Sequence, residues 1–251
     1  AYAISWVSLF LGNVEYSFFW FLAKFGFSLS AVILLIVYKD RKRTSELVHY
    51  AKQPVHWIYI LLALFPFLAY FVSILVMVPF SELNIIKGEG ISEWLYIILI
   101  APGSGIIFYS LFRGGMGEEI GLRAYILPMI ANKQSLLKTA LIIGVVWAVW
   151  HYPVWIPNGL INVIAGTLAT IAWSFIFTWI FVKTKSLWIV VLLHASSNAA
   201  DDILEFIFPN IIDYDWEIIY ILIIILVGIA ALFALRKTKN EFYQEQLSRN
   251  E

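Results

Sequence analysis

The sequence contains no cysteine among its 251 residues. A thiol nucleophile, a cysteine-ligated metal and any disulfide are therefore excluded. Charge is scarce as well. Asp, Glu, Lys and Arg make up 14% of the chain, against about 25% in a soluble domain. The 17 basic and 17 acidic side chains cancel, so no global field attracts nucleic acid or another polyion. What fills the space is apolar: 61% hydrophobic residues, 17% aromatic ones, and a mean hydropathy of +0.83. So few charges cannot coat the surface of a soluble enzyme, and so many apolar groups are incompatible with a disordered chain. The composition excludes both, along with a nucleic-acid binder, and requires a membrane protein. No basic n-region or cleavage site of a signal peptide opens the chain.

A helical span needs about 20 mostly apolar residues. Runs of that kind occupy 17–38, 56–80, 94–112, 137–155, 160–182, 187–208 and 217–235. The expected fold is an all-α polytopic bundle of about seven spans, forming one membrane-embedded domain over 1–251 with a polar tail at 236–251. Pro66 and Pro102 fall inside spans and are expected to kink them. Trp57, Trp94, Trp155, Trp188 and Trp216 lie near span ends, as an interfacial aromatic belt requires. Residues 1–12 are apolar but too short to span.

The segment 115–131 is helical in pattern, yet its uninterrupted apolar run covers only Ala124 to Ala131. That run reaches about 12 Å into a core of about 30 Å. Loop charges give a second reason to treat it as a half-helix. If it does not cross, the basic residues at 39–52, 113, 133–138, 183–185 and 236–239 all lie on one side, with Lys87 alone on the other. If it crosses, they divide almost evenly. The positive-inside bias favours the first arrangement, with the N-terminus outside and the C-terminus in the cytoplasm of a multi-pass plasma-membrane protein.

Ionisable groups inside spans are costly and face a cavity or a partner. Three clusters qualify. In the first, Glu118 and Glu119 point about 100° apart on a helix, and Glu119 is i,i+4 from Arg123, so that pair can form while Glu118 faces elsewhere. The second is Trp147–His151 at the end of an apolar helix; the third is His194 and Asn198, i,i+4 on one helix face. A carboxylate and an imidazole suit general-base activation of water, and imidazole and amide donors suit an oxyanion. Each residue also has a structural use, as an ion pair or as hydrogen-bonding glue between helices. Asp201, Asp202 and Glu205 read as a wet helix end, and His49 and His56 as surface residues. Ser104, in Pro102-Gly103-Ser104-Gly105, resembles a serine-protease signature only in part.

Glu118-Glu119-x-x-x-Arg123, then aromatic-x-x-x-His151, then His194-x-x-x-Asn198 on successive helices resembles the CAAX prenyl endopeptidase family, also called CPBP or Abi. The resemblance runs over roughly 113–202. The family usually carries Phe at the aromatic position, where this chain has Trp147. The resemblance implies an intramembrane endopeptidase acting on a membrane-associated protein or peptide. In it Glu118 and His151 activate water, His194 and Asn198 stabilise the oxyanion, and Glu119 and Arg123 support the site. A zinc held by Glu118, His151 and His194 is the metalloprotease variant of this reading. Asn is a poor zinc ligand, so the expectation here is water activation without a cofactor. Bilayer lipid is the other expected partner. Two alternatives stay open at this point: a transporter or proton relay with these groups along its path, and a catalytically inert, immunity-type relative. No internal repeat of the kind common in transporters is present.

Overall fold

The computed structural model describes residues 1–11, 18–62, 64–77, 110–207, 216–240 and 242. Among these, all regular structure is helical. The helices are α1 (Tyr2–Leu11), α2 (Phe18–Lys24), α3 (Gly26–Tyr38), α4 (Arg41–Lys52), α5 (Trp57–Leu62) and α6 (Phe65–Met77). They are followed by α7 (residues 111–131), α8 (Leu136–Trp155), α9 (Leu160–Thr184), α10 (Leu187–Ile207) and α11 (Trp216–Lys237).

Four stretches are long and apolar enough to cross a bilayer: Trp57–Val76, Leu136–Asn158, Leu160–Thr184 and Glu217–Lys237. Gly26–Tyr38 and Leu187–Ala200 are shorter apolar helices. Large apolar side chains stand on the outer surface, such as Ile161 at 82% and Leu226 at 66% exposure. In water such a surface would drive association; in hydrocarbon it is simply solvated. The chain is thus an integral membrane protein. The expected span 94–112 and residues Pro102, Ser104 and Lys87 lie outside the described residues, apart from its last three positions, which begin the helical run of α7.

Two expected spans are divided. The run 17–38 breaks at Phe25 into α2 and α3. The run 56–80 divides around Pro66, which sits in the first turn of α6, where its missing N–H costs nothing. Short segments are closed by local chemistry. Asp40 caps α4 by accepting from the Arg43 amide at 2.9 Å, and Ser135 caps α8 by accepting from the Lys138 amide at 3.3 Å. Trp188 anchors the start of α10 by donating its indole N–H to the Ala51 carbonyl at 2.8 Å.

The core lies where α8, α9 and α11 meet, filled by Ile143, Ile176, Phe177, Ile180, Phe181 and Ile224. Small residues let these helices approach closely: a Cβ on Gly144 would stand 3.0 Å from Ile171 Cα, and one on Gly228 would stand 2.6 Å from Ala172 Cβ. The short α1 packs onto the rest of the chain. Tyr2 donates to the Val146 carbonyl (2.6 Å), Trp6 to the Trp150 carbonyl (3.1 Å), and Ser5 to the Ala23 carbonyl (2.6 Å). It therefore braces α8 beside the polar cluster.

Candidate functional site

The segment expected as a half-helix is helical throughout residues 111–131, but not uniformly α. Wide π-helical turns at Leu111–Met116 and Ile120–Ile126 flank a single α-turn, Gly117–Glu119. Such turns disturb the regular hydrogen-bond ladder and concentrate at functional sites. Here they bracket the two carboxylates.

A glycine face holds this helix against α2 and α3. A Cβ on Gly117 would lie 2.6 Å from the Lys24 carbonyl oxygen, and one on Gly121 would lie 2.5 Å from the Phe27 carbonyl group. The i,i+4 spacing is the small-xxx-small pattern of close membrane helix packing. Ser28 fastens the contact. Its hydroxyl donates to the Met116 carbonyl at 2.7 Å and accepts from the Gly121 amide at 3.3 Å. These are backbone groups at the edges of the two π-turns, so one serine satisfies atoms the irregular helix leaves over.

The carboxylates diverge as their spacing requires. Glu119 turns inward with Arg123, both wholly buried. Arg123 Nε lies 3.2 Å from Glu119 Oε2, an ionic contact outside hydrogen-bond geometry, and Arg123 Nη1 donates to Glu119 Oε1 at 3.5 Å. Among the described residues, Arg123 Nη2 has no hydrogen-bond partner. Its guanidinium instead lies 4.9 Å from the Trp147 ring and 5.2 Å from the Phe177 ring, where the aromatic faces supply part of the missing stabilisation. Glu119 has a second neighbour from α10: His194 Nδ1 approaches its Oε1 at 2.8 Å. The carboxylate accepts, so the proton is on Nδ1, and Nε2 is the ring atom left for other work.

Glu118 turns the other way. It is 2% exposed, and its Oε2 accepts a hydrogen bond from the Trp147 indole N–H. It is therefore anchored, where the sequence alone leaves it unpartnered. Trp147 also fixes His151, whose Nδ1 lies 3.0 Å from the Trp147 carbonyl. A carbonyl only accepts, so His151 carries its proton on Nδ1 and presents Nε2 as the lone pair. Trp155 stacks on the imidazole at 5.0 Å and 8°, and Trp150 meets its edge at 4.6 Å. Pro153, two residues on, withholds the amide that would otherwise close onto the Val149 carbonyl.

The third cluster closes over the first. A Cβ on Gly114 would collide with Asn198 Nδ2 and lie 2.9 Å from His194 Nε2. The bare Cα of Gly114 thus lets the backbone of α7 approach the His194 and Asn198 side chains of α10. The His194 ring also sits 5.3 Å from Trp147 and 5.5 Å from Phe177.

All six residues singled out from the sequence, Glu118, Glu119, Arg123, His151, His194 and Asn198, belong to this one region, drawn from α7, α8 and α10. Direct polar contact joins Glu119 to Arg123 and to His194. Among the described residues, no hydrogen bond joins Glu118 to His151; Trp147 is their common partner. In the sequence Trp147 has only an aromatic role, and no pattern singles out Ser28 or Phe177. The Gly117-x-x-x-Gly121 spacing is the signal that points to the α3 contact. His49 and His56 are exposed and remote, as expected. Asp201, Asp202 and Glu205 lie on α10, but their side chains are outside the described residues. Among the described residues, no three His, Asp or Glu side chains come close enough together to hold one metal ion, so Glu118, His151 and His194 do not fit a zinc site as placed.

Comparison with known proteins gives a match over residues 64–200 to the model of the family described as type II CAAX prenyl endopeptidase Rce1-like. The matched stretch contains every residue of the cluster. The chain is also similar to CAAX prenyl protease 2 of Methanococcus maripaludis, at 24% identity over 44% of this chain and 51% of that protein. The match thus spans about half the length of the curated relative.

Proposed function

Because the chain belongs to the type II CAAX prenyl endopeptidase Rce1-like family, we propose that it is an intramembrane endopeptidase that hydrolyses a peptide bond of a membrane-associated protein or peptide. The observation that carries this reading is the double anchorage at Trp147. One residue holds the Glu118 carboxylate and sets the His151 tautomer, so that a carboxylate oxygen and an imidazole lone pair are both available for water.

In the proposed reaction, a water between Glu118 and His151 attacks the scissile carbonyl carbon. Glu118 Oε1, the oxygen not used by the indole, takes the water proton as the C–O bond forms. Asn198 Nδ2 donates to the oxyanion. His194 joins it only as an imidazolium, because its Nδ1 proton is already given to Glu119 and Nε2 must carry a second one to donate. Collapse of the tetrahedral intermediate breaks the C–N bond, and the proton held by Glu118 passes to the leaving amine. Glu119 and Arg123 act from behind, by orienting His194. No metal takes part. The site works within one membrane-embedded domain that crosses the plasma membrane several times, with its substrate arriving along the bilayer.

The test is turnover of a membrane-anchored peptide by purified protein in detergent or nanodiscs. Glu118→Gln keeps the shape of the side chain but cannot take a proton, so cleavage should fall by about 10²–10⁴-fold. His151→Ala should fall comparably, and Ser104→Ala should cleave as the wild type does. A strong chelator should leave the rate unchanged. Stoichiometric zinc, with activity lost on its removal and regained on its return, would overturn the metal-free mechanism. Normal cleavage by Glu118→Gln would overturn the assignment of the base. A wild-type protein that cleaves nothing, with solute or proton flux abolished by Glu118→Gln, would return the protein to the transporter class.

A further inference from the structure

At the loop that joins α7 to α8, and just past the end of α11, a second polar region carries no part of the proposed chemistry. A cavity of about 440 Å³ is lined by Lys133, Gln134, Ser135, Lys138 and Asn240. Two of the five are cations, three are neutral hydrogen-bonding residues, and among the described residues no carboxylate lines it. Lys133 and Lys138 are exposed, so neither ammonium is committed to the protein interior.

The cavity has a built wall. After α11 ends at Lys237, the chain turns back across the α7–α8 loop. The Asn240 amide donates to the Ala131 carbonyl at 2.8 Å and to the Gln134 carbonyl at 2.9 Å. Two residues on, the buried Phe242 ring lies 3.8 Å from Lys185 Nζ, which fixes the chain at a second point. Exposed Arg236, Lys237 and Lys239 extend the positive charge along this strap.

Its depth is set by the helices it joins. Both Leu136–Asn158 and Glu217–Lys237 are membrane-crossing candidates, and the cavity lies at the first turn of one and just past the last turn of the other. That is headgroup depth. The N-terminal dipole of α8 and its first-turn amides point the same way and favour an anion there. We propose that this cavity binds the phosphate of an anionic bilayer phospholipid, with Lys133 and Lys138 as the two charge contacts. A lipid is favoured over a soluble anion because a headgroup is held at this depth by its own acyl chains, and basic pockets at span ends take anionic headgroups in this way. The lipid would hold the α7–α8 loop and the α11 strap together from outside.

The experiment is native mass spectrometry of the full chain titrated with phosphatidylglycerol against phosphatidylcholine, and the same titration on variants. The wild type should retain phosphatidylglycerol at least about tenfold more tightly than phosphatidylcholine. The double variant Lys133→Glu/Lys138→Glu should lose that preference, and Lys133→Gln/Lys138→Gln should lose most of it. Lys52→Glu, an exposed cation elsewhere on the protein, should keep it. Melting temperatures check that the variants are folded. Equal loss in Lys52→Glu would reduce the effect to general surface charge. An unchanged preference in both double variants would remove the site, and complete displacement of the lipid by millimolar inorganic phosphate would reassign it to a soluble anion.

Discussion

The Trp147 indole N–H donates to the Glu118 carboxylate across the α7–α8 interface. Phenylalanine, the residue usual at this position in the resembled family, keeps an aromatic ring there but is smaller and cannot make that bond. Trp147→Phe therefore removes the hydrogen bond while leaving an aromatic ring beside Arg123 and His194. A hydrogen bond to a charged group is worth about 1.5–3 kcal/mol, so kcat should fall by about 10–100-fold with KM nearly constant. Steady-state cleavage of a membrane-anchored peptide checks this. Wild-type kcat in the phenylalanine variant would show that Glu118 needs no such anchor.

The buried Glu119–Arg123 pair leads to a prediction about stability. Removing one partner strands the other charge where no water reaches it. Arg123→Leu should cost about 3–5 kcal/mol, while Glu119→Gln/Arg123→Leu should recover part of that loss because no lone charge remains. Thermal melts in detergent decide the order. A double variant less stable than Arg123→Leu would contradict the account.

Gly121 tests the contact between α7 and α3. The added Cβ of Gly121→Ala meets the Phe27 backbone carbonyl, which cannot swing aside as a side chain can. The helices must separate, at about 1–3 kcal/mol, and Ser28 then loses its hold on both π-turns. A lowered melting temperature together with reduced turnover is expected. A variant that melts and cleaves like the wild type would show that the interface is looser than its geometry.

Membrane orientation is open to direct labelling, because the chain has no native cysteine. Single cysteines replacing Lys42, Lys133, Lys185 and Lys237 should all react with an impermeant maleimide from the cytoplasmic side. Reaction of the positions at 42 and 133 from opposite faces would mean that residues 111–131 cross the bilayer, against the charge bias.

The membrane character and the residues of the candidate cluster stand out in the sequence for the same reason. A charge inside a bilayer is expensive, so Glu118, Glu119, Arg123, His151 and His194 stand out from an apolar background. The divergence of the two glutamates followed from helical spacing alone. What was hidden depends on irregular backbone. No period in the sequence announces the π-turns on either side of Gly117–Glu119. The break at Phe25 falls between two apolar runs that read as one. Trp147 looked like another aromatic in a chain rich in them, since its N–H acquires meaning only when α7 places a carboxylate opposite. Ser28 is 88 residues from the carbonyl it serves, a distance over which sequence pattern carries no information.

The α3 contact also constrains how the protein is made. The matched family segment begins at residue 64, yet the carboxylate-bearing helix rests on Lys24, Phe27 and Ser28, which are synthesised long before it. The groups that receive it on α2 and α3 are the Lys24 and Phe27 carbonyls and the Ser28 hydroxyl, and its own glycines let it reach them. A chain lacking its first helices would leave the charged segment without the backbone surface on which it rests.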